Sequence, residues 1–408
     1  MFIELPENVK RIIETLQDNG FEAYAVGGCV RDSILGRTPG DWDITTSAEP
    51  YEIKAIFRRT VDTGIQHGTV TVLLDSDAYE VTTYRVDGNY SDSRHPDSVT
   101  FTRNLEEDLL RRDFTINAMA YNDADGLKDI YGGMEDLEKG IIRCVGVPED
   151  RFGEDALRML RAVRFSAQLG FELDPDTEEA VKKLCGDLTL VSAERIQTEL
   201  KKLLMSKRPV YVKKLEELGI TEHVLTWIST DEQILEMLRC SDEDYSVRLA
   251  ILLSEDPENV ATRLRELKLD NHTIDLACGI LNNKDRPMDP ARRYVRHFLS
   301  KTGEELFREI VKYKKAEACG NKEQESAADE TLKTAESVLG GGECLFIKDL
   351  KISGSDIIKM GCPQGPKVGD VLEALLQKVL DEPGLNDAVS LREMAEEMVS
   401  GFKDDQTV

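Results

Sequence analysis

The stretch GGCVRDSILGRTPGDWDI, residues 27–44, carries acids, an arginine and paired glycines at spacings that suit phosphate chemistry. Asp41 and Asp43 are two positions apart. In an extended segment such residues project to one face. Two neighbouring carboxylates repel each other unless a cation lies between them, and Mg²⁺ takes carboxylate oxygens together with water and substrate phosphates. Asp41 and Asp43 are therefore the expected metal ligands. The Gly27–Gly28 pair follows an apolar run and removes side chains where a backbone must approach a phosphate, so Gly28 is an expected nucleotide contact. Arg31 can hold a triphosphate oxygen. Glu80 shares a strand face with Thr82 and Tyr84 and offers a third carboxylate. Asp41, Asp43 and Glu80 together would serve a two-metal catalytic centre.

The elements that must position these groups read as mixed α/β up to about residue 146. EAYAVGG predicts a buried strand, CVRDSILG the helix after it and DWDITTS a second strand carrying both aspartates. GTVTVLL and AYEVTTYRV predict a hairpin turning at Asp75, Ser76 and Asp77. Residues 88–101 are polar and weakly patterned and predict a loop containing Tyr90, Arg94 and His95. Beyond residue 147 strand signals stop. Asp174 and Pro175 mark a helix start, and Ile196, Leu200, Leu203 and Leu204 share one helical face. Residues 325–343 predict a helix followed by a glycine junction.

The run GG…RD…GDWDI resembles the signature of class II nucleotidyltransferases, the family of CCA-adding tRNA nucleotidyltransferases and bacterial poly(A) polymerases. Four further segments match in order: EEDLLRRDFTINAMAY (106–121), EDALRMLRAVRF (154–165), SAERIQTEL (192–200) and LKISGSDIIKMGCPQGPKVGDVL (350–372). The resemblance implies an α+β, polymerase-beta-like head with a mixed sheet, followed by an all-α neck, body and tail. The expected divisions are a catalytic head at 1–146, a nucleotide-selecting neck at 147–215, and RNA-binding body and tail at 216–320 and 321–408. It also implies that Arg112, Arg161 and Arg164 contribute to nucleotide or phosphate binding.

The selecting helix can be reasoned from hydrogen-bond chemistry. Asp155 and Arg158 are three apart, hence neighbours on one helix. Asp155, Arg158, Arg161 and Arg164 are expected on one side, with Leu157, Met159, Leu160, Val163 and Ala167 on the other. An ionised Asp only accepts and an Arg only donates. Cytosine and adenine each present an amino donor beside a ring-nitrogen acceptor; uracil and guanine present the reverse. The Asp155–Arg158 pair therefore suits C and A, and each mismatch costs on the order of 1–3 kcal/mol.

The expected activity is template-independent addition and repair of the 3′-terminal CCA of tRNA, from CTP and ATP with Mg²⁺ and release of pyrophosphate. An A-adding specialist or a poly(A) polymerase of the same family is the nearest alternative. A catalytically inactive RNA-binding protein is the alternative from another class. The expected partners are the tRNA acceptor arm, CTP and ATP, with no DNA and no membrane. The net charge of −26 argues against nucleic acid by default. Basic residues nevertheless cluster: residues 284–315 carry ten Lys/Arg against five Asp/Glu, and residues 201–214 carry six and no acid. The eight cysteines form no CxxC pair, which predicts a reducing cytoplasm and no structural zinc. The first twenty residues read as an amphipathic helix rather than a signal peptide.

Overall fold

The computed structural model describes residues 2–88 and 99–404. The chain forms two compact units, Met1–Thr230 and Asp231–Val408.

The first unit opens with α1 (Glu7–Asp18), which buries Val9, Ile12, Ile13 and Leu16 at helical spacing. Then follow β1 (Ala23–Val26), α2 (Gly28–Ile34), β2 (Ile44–Thr46), α3 (Pro50–Ile56), β3 (Thr60–Gly64), β4 (Thr69–Leu74) and β5 (Asp77–Thr83). The β4–β5 hairpin turns at Asp75, whose φ of 53° is left-handed. β6 (Arg85–Asp87) and β7 (Val99–Phe101) make a separate antiparallel ribbon. The expected loop therefore gives way to a strand at Val99, and its Tyr90, Arg94 and His95 lie outside the described residues. After α4 (Leu105–Leu110) come β8 (Met119–Asn122) and β9 (Gly126–Asp129), which complete the sheet. Its seven strands run β3-β4-β5-β2-β1-β8-β9, and it is mixed because β2 and β5 pair in parallel. Tyr24, Val26, Tyr84, Leu105, Leu109, Ala118, Ala120 and Val145 pack into one buried cluster against it.

The remainder of the unit is helical: α5 (Gly133–Lys139), α6 (Pro148–Glu154), α7 (Leu157–Leu169), α8 (Pro175–Leu184), α9 (Ala193–Leu204) and α10 (Lys213–Glu217). Strand pairing does not stop at residue 147 as expected, since β10 (Ile141–Ile142) pairs in parallel with β11 (Glu172–Leu173). Asp174 caps α8 through the Thr177 amide, with Pro175 at its first position. α9 buries Ile196, Leu200, Leu203 and Leu204 as its period predicts, and also Glu199, which it does not predict.

The second unit is built of α11 (Glu232–Cys240), α12 (Tyr245–Leu252), α13 (Val260–Glu266), α14 (Asn271–Leu281), α15 (Arg292–Glu317), α16 (Lys322–Gly340), α17 (Gly354–Lys359), α18 (Pro366–Asp381) and α19 (Ala388–Asp404). α15 is kinked at Gly303, whose φ is 73°. No helix among the described residues is long and apolar enough to cross a membrane.

An acid pair, one member of it buried, lies in this unit. Glu309 on α15 and Asp244, the cap of α12, share the Lys312 ammonium at 2.8 and 2.7 Å. Burial, then the hydrogen bond to Asp244, pushes the Glu309 carboxyl up to about 7. The folded value lies above the ordinary one, so this carboxyl stabilises the fold below about pH 4.5, and that contribution is lost as the pH rises through about 7. Glu309→Gln should remove the loss. Denaturant titrations are expected to show the variant gaining on the order of 2 kcal/mol relative to the parent between pH 5 and pH 8.

Candidate active site

The sheet places Asp43. Its carbonyl accepts the Val26 amide at 3.0 Å, one step beyond the last β1–β2 partners, Ala25 and Ile44. Ile44 stands opposite Val81 across the parallel pair, so Asp43 falls beside Glu80. Asp41, Asp43 and Glu80 are exposed and line one cleft of about 780 Å³, together with Trp42, Thr63, Thr71 and Tyr79. Both aspartates precede β2 rather than lying in it, which corrects the expected strand. Trp42, between the two aspartates, is half-buried on the cleft wall.

The three carboxylates share a wall without being gathered to a point. Among the described residues, the one trio of His, Cys, Asp or Glu whose ligand atoms all lie within 4.8 Å of one another is Glu236, Cys240 and Cys319. Desolvation in the cleft raises the Asp43 carboxyl above its ordinary range; Arg112 opposes the rise and Asp41 adds to it. A carboxylate whose charge is disfavoured, beside a second one, fits a hard cation through oxygen donors.

Gly27 is the glycine the backbone requires. It sits at φ 83° at the start of α2, and a Cβ there would stand 2.8 Å from the Arg112 Nη1. Gly28 has no such constraint, since a Cβ would meet only the Arg31 Nη2 at 3.8 Å. The bare Gly27 thus lets Arg112 lie against the head of α2. The Arg112 Nε is buried without a hydrogen-bond partner, while its Nη2 lies 3.6 Å from the Asp108 carboxylate.

Residues 108–113 join this cleft to α7. Asp113 accepts Arg161 at 2.8 and 2.5 Å and the Asn117 amide at 3.1 Å. Burial pushes the Asp113 carboxyl up, but Arg161 and these hydrogen bonds overcome it and hold it well below the usual range. Asn117 in turn accepts the Arg31 Nη1 at 2.7 Å, while Asp32 takes the rest of that guanidinium at 2.9 and 3.0 Å. Arg158 donates to the Arg111 carbonyl at 2.8 Å. Three guanidinium groups surround the Phe165 ring: Arg164 at 3.8 Å, Arg31 at 5.0 Å and Arg161 at 5.5 Å.

The expected selecting helix is broken where its acid lies. α6 ends at Glu154 and α7 begins at Leu157, so Asp155 sits in the junction at φ −147°. Asp155 is not paired with Arg158. Its oxygens take Arg195 of α9 at 3.1 and 2.7 Å, and its Oδ1 also caps the Leu157 amide at 3.1 Å. Arg158 pairs with Glu154 at 2.5 Å. Arg164 is not on an open face: it is buried against Glu199 at 2.5 Å. Burial lowers it to about 10 despite Glu199. Arg195 and Glu199 are the site residues that sequence reasoning missed. They lie four apart in SAERIQTEL, the spacing that puts two side chains on one helical face.

The chain resembles known proteins along its length. Residues 23–143 match the Poly A polymerase head domain, 170–229 an RNA- and SrmB-binding site of polymerase A, and 240–395 tRNA nucleotidyltransferase domain 2. The CCA-adding enzyme of Leuconostoc mesenteroides is 36% identical over 97% of this chain and 98% of its own. That of Lactiplantibacillus plantarum is 40% identical over 91% of each. The solved Bacillus stearothermophilus CCA-adding enzyme, in complex with CTP, superposes with a TM-score of 0.82 at 33% identity, covering 97% of this chain and 98% of that one. With a mixed-sheet head, carboxylates on its cleft and relatives matched end to end, the chain belongs to the family of CCA-adding enzymes.

Proposed function

We propose that the chain adds and repairs the 3′-terminal CCA of tRNA from CTP and ATP, in the cytoplasm, with Asp41, Asp43 and Glu80 as its catalytic acids. The observation that carries this reading is the reach of residues 108–113. Arg112 acts on Asp43 at one side, and Arg111 and Asp113 hold Arg158 and Arg161 of α7 at the other. One short segment thus couples the cleft to the helix that reads the base.

The primer's 3′ hydroxyl attacks the α-phosphate and pyrophosphate leaves. Asp41 and Asp43 would hold Mg²⁺, which would supply Lewis-acid chemistry toward the primer hydroxyl and the phosphates. Arg112 offers the triphosphate its guanidinium at Nη1, which lies against Gly27, and Arg31 adds charge from α2. Asp155 and Arg158 read the pairing edge of C or A. Arg161 and Arg164 keep α7 in register through Asp113 and Glu199.

RNA is held by the helical parts, divided as neck (147–215), body (216–320) and tail (321–408). The basic island at 284–315 contributes less charge than its count suggests. Arg292 and Arg296 pair with Glu343, Arg293 with Asp381, Lys312 with Asp244 and Lys315 with Asp329. Binding therefore relies on shape as well as phosphate contact.

The test is incubation of tRNA lacking its last three nucleotides with each NTP alone and together. Products should stop at CCA with CTP plus ATP, and at CC with CTP alone. Addition from ATP only to tRNA already ending in CC would mean an A-adding specialist. A long adenylate ladder would mean a poly(A) polymerase.

A further inference from the structure

We propose that Cys240 and Cys319 are an oxidative modification site, a dithiol that small-molecule disulfides close into a cross-link between α11 and the end of α15. The structure joins the two sulfurs in a disulfide across a sequence separation of 79, with Cα atoms 6.0 Å apart. That Cα separation lies within the range native disulfides use. Cys240 is the last residue of α11, and Cys319 lies two beyond the end of α15. The scattered cysteines suit a reducing cytoplasm, and no spacing rule reveals a pair that far apart.

The pair is more open than most of the other cysteines, with Cys240 exposed and Cys319 partly buried. Cys29, Cys144, Cys185, Cys344 and Cys362 are buried, and Cys278 is partly so. Burial pushes Cys29 up to about 11 and Cys144 to about 12, which leaves almost no thiolate to react at neutral pH. Cys240 is exposed. Cys319 opens on a cleft of about 360 Å³ between Glu232, Gln233, Met237 and Ala316, large enough to admit part of a small disulfide.

The two sulfurs share one set of neighbours. Both sulfurs lie at helix C-termini, where the backbone presents partial negative charge. The Glu236 Oε1 is 3.5 Å from the Cys319 sulfur and 3.9 Å from that of Cys240. In the reaction, one cysteine thiolate attacks a sulfur of the small disulfide, whose S–S bond breaks and releases one small thiol. The second cysteine attacks the protein sulfur of the mixed disulfide and releases the other. Two protein thiols lose two electrons and two protons, and the small disulfide is reduced to two thiols.

The full-length protein, reduced and then equilibrated with oxidised and reduced glutathione, is trapped with N-ethylmaleimide and mapped by mass spectrometry. Two of its eight thiols should be protected, in one cross-linked peptide pair containing Cys240 and Cys319. The oxidised form should melt on the order of 10 °C higher, as expected for closing a loop of this length. Cys240→Ser and Cys319→Ser should each abolish the cross-link and the shift, with glutathione trapped at most on the remaining sulfur of the pair. Alkylation of all eight in excess oxidised glutathione, glutathione left on one sulfur without a cross-link, or pairing of other cysteines overturns the proposal. So does stoichiometric zinc that survives dialysis and shields the pair, which would make it a metal site with Glu236.

Discussion

Asp43→Asn should reduce nucleotide incorporation by about 1,000-fold or more, equivalent to losing about 4 kcal/mol of transition-state stabilisation, while leaving tRNA affinity within about twofold. The same change should raise thermal stability at neutral pH. Desolvation, and then the nearby Asp41, lift the Asp43 carboxyl above its ordinary range, with Arg112 opposing. A folded-state value above the unfolded one means that the ionised group is a burden on the fold, felt as the pH rises past it. The amide removes that burden and the repulsion from Asp41 together. Single-turnover incorporation, tRNA binding by filter retention and a melting curve on one preparation separate these effects. A variant that is both inactive and destabilised would place Asp43 in the scaffold and not in the chemistry.

Much of this arrangement is readable one residue at a time, because it rests on short-range periodicity. The apolar face of α9, the hairpin at Asp75 and the Asp174 cap of α8 follow from spacing and turn chemistry. What escapes is whatever a distant partner decides. Arg164 has the same helical spacing as Arg158 and Arg161, yet it is buried because Glu199, far along the chain, meets it. Asp41 and Asp43 read as strand from their alternation. The ladder ends at Ile44, and a single amide from Val26 holds the approach segment. The helix break at Asp155 was within reach of the sequence. Gly153 weakens the helix just before it, and an aspartate ahead of an apolar run is a capping residue. The resemblance of residues 154–165 to one continuous selecting helix masked that signal.

The break at Asp155 leads to an effect on base choice. Arg195 holds both Asp155 oxygens from α9 and the Leu157 amide fills the second site on Oδ1, yet Oδ2 keeps one acceptor site, so a base amino group can still be received there. Arg195 then acts as a positioning residue: it keeps the acid aimed, and touches no base itself. Arg195→Ala should lower the preference for CTP over UTP by roughly 10- to 100-fold, the worth of one misaligned acceptor at 1–3 kcal/mol, mainly through KM for CTP. Arg195→Lys, which keeps the charge but not the fork, should recover part of it. Asp155→Asn goes further, because the amide can donate where the acid only accepts, so UTP use should rise in absolute terms. The comparison is single-nucleotide addition of CTP, UTP, ATP and GTP to tRNA lacking its CCA. If Arg195→Ala slows all four nucleotides equally while discrimination is untouched, the arginine only fastens α9 to the junction. If Asp155→Asn also leaves discrimination intact, the base is read by other groups.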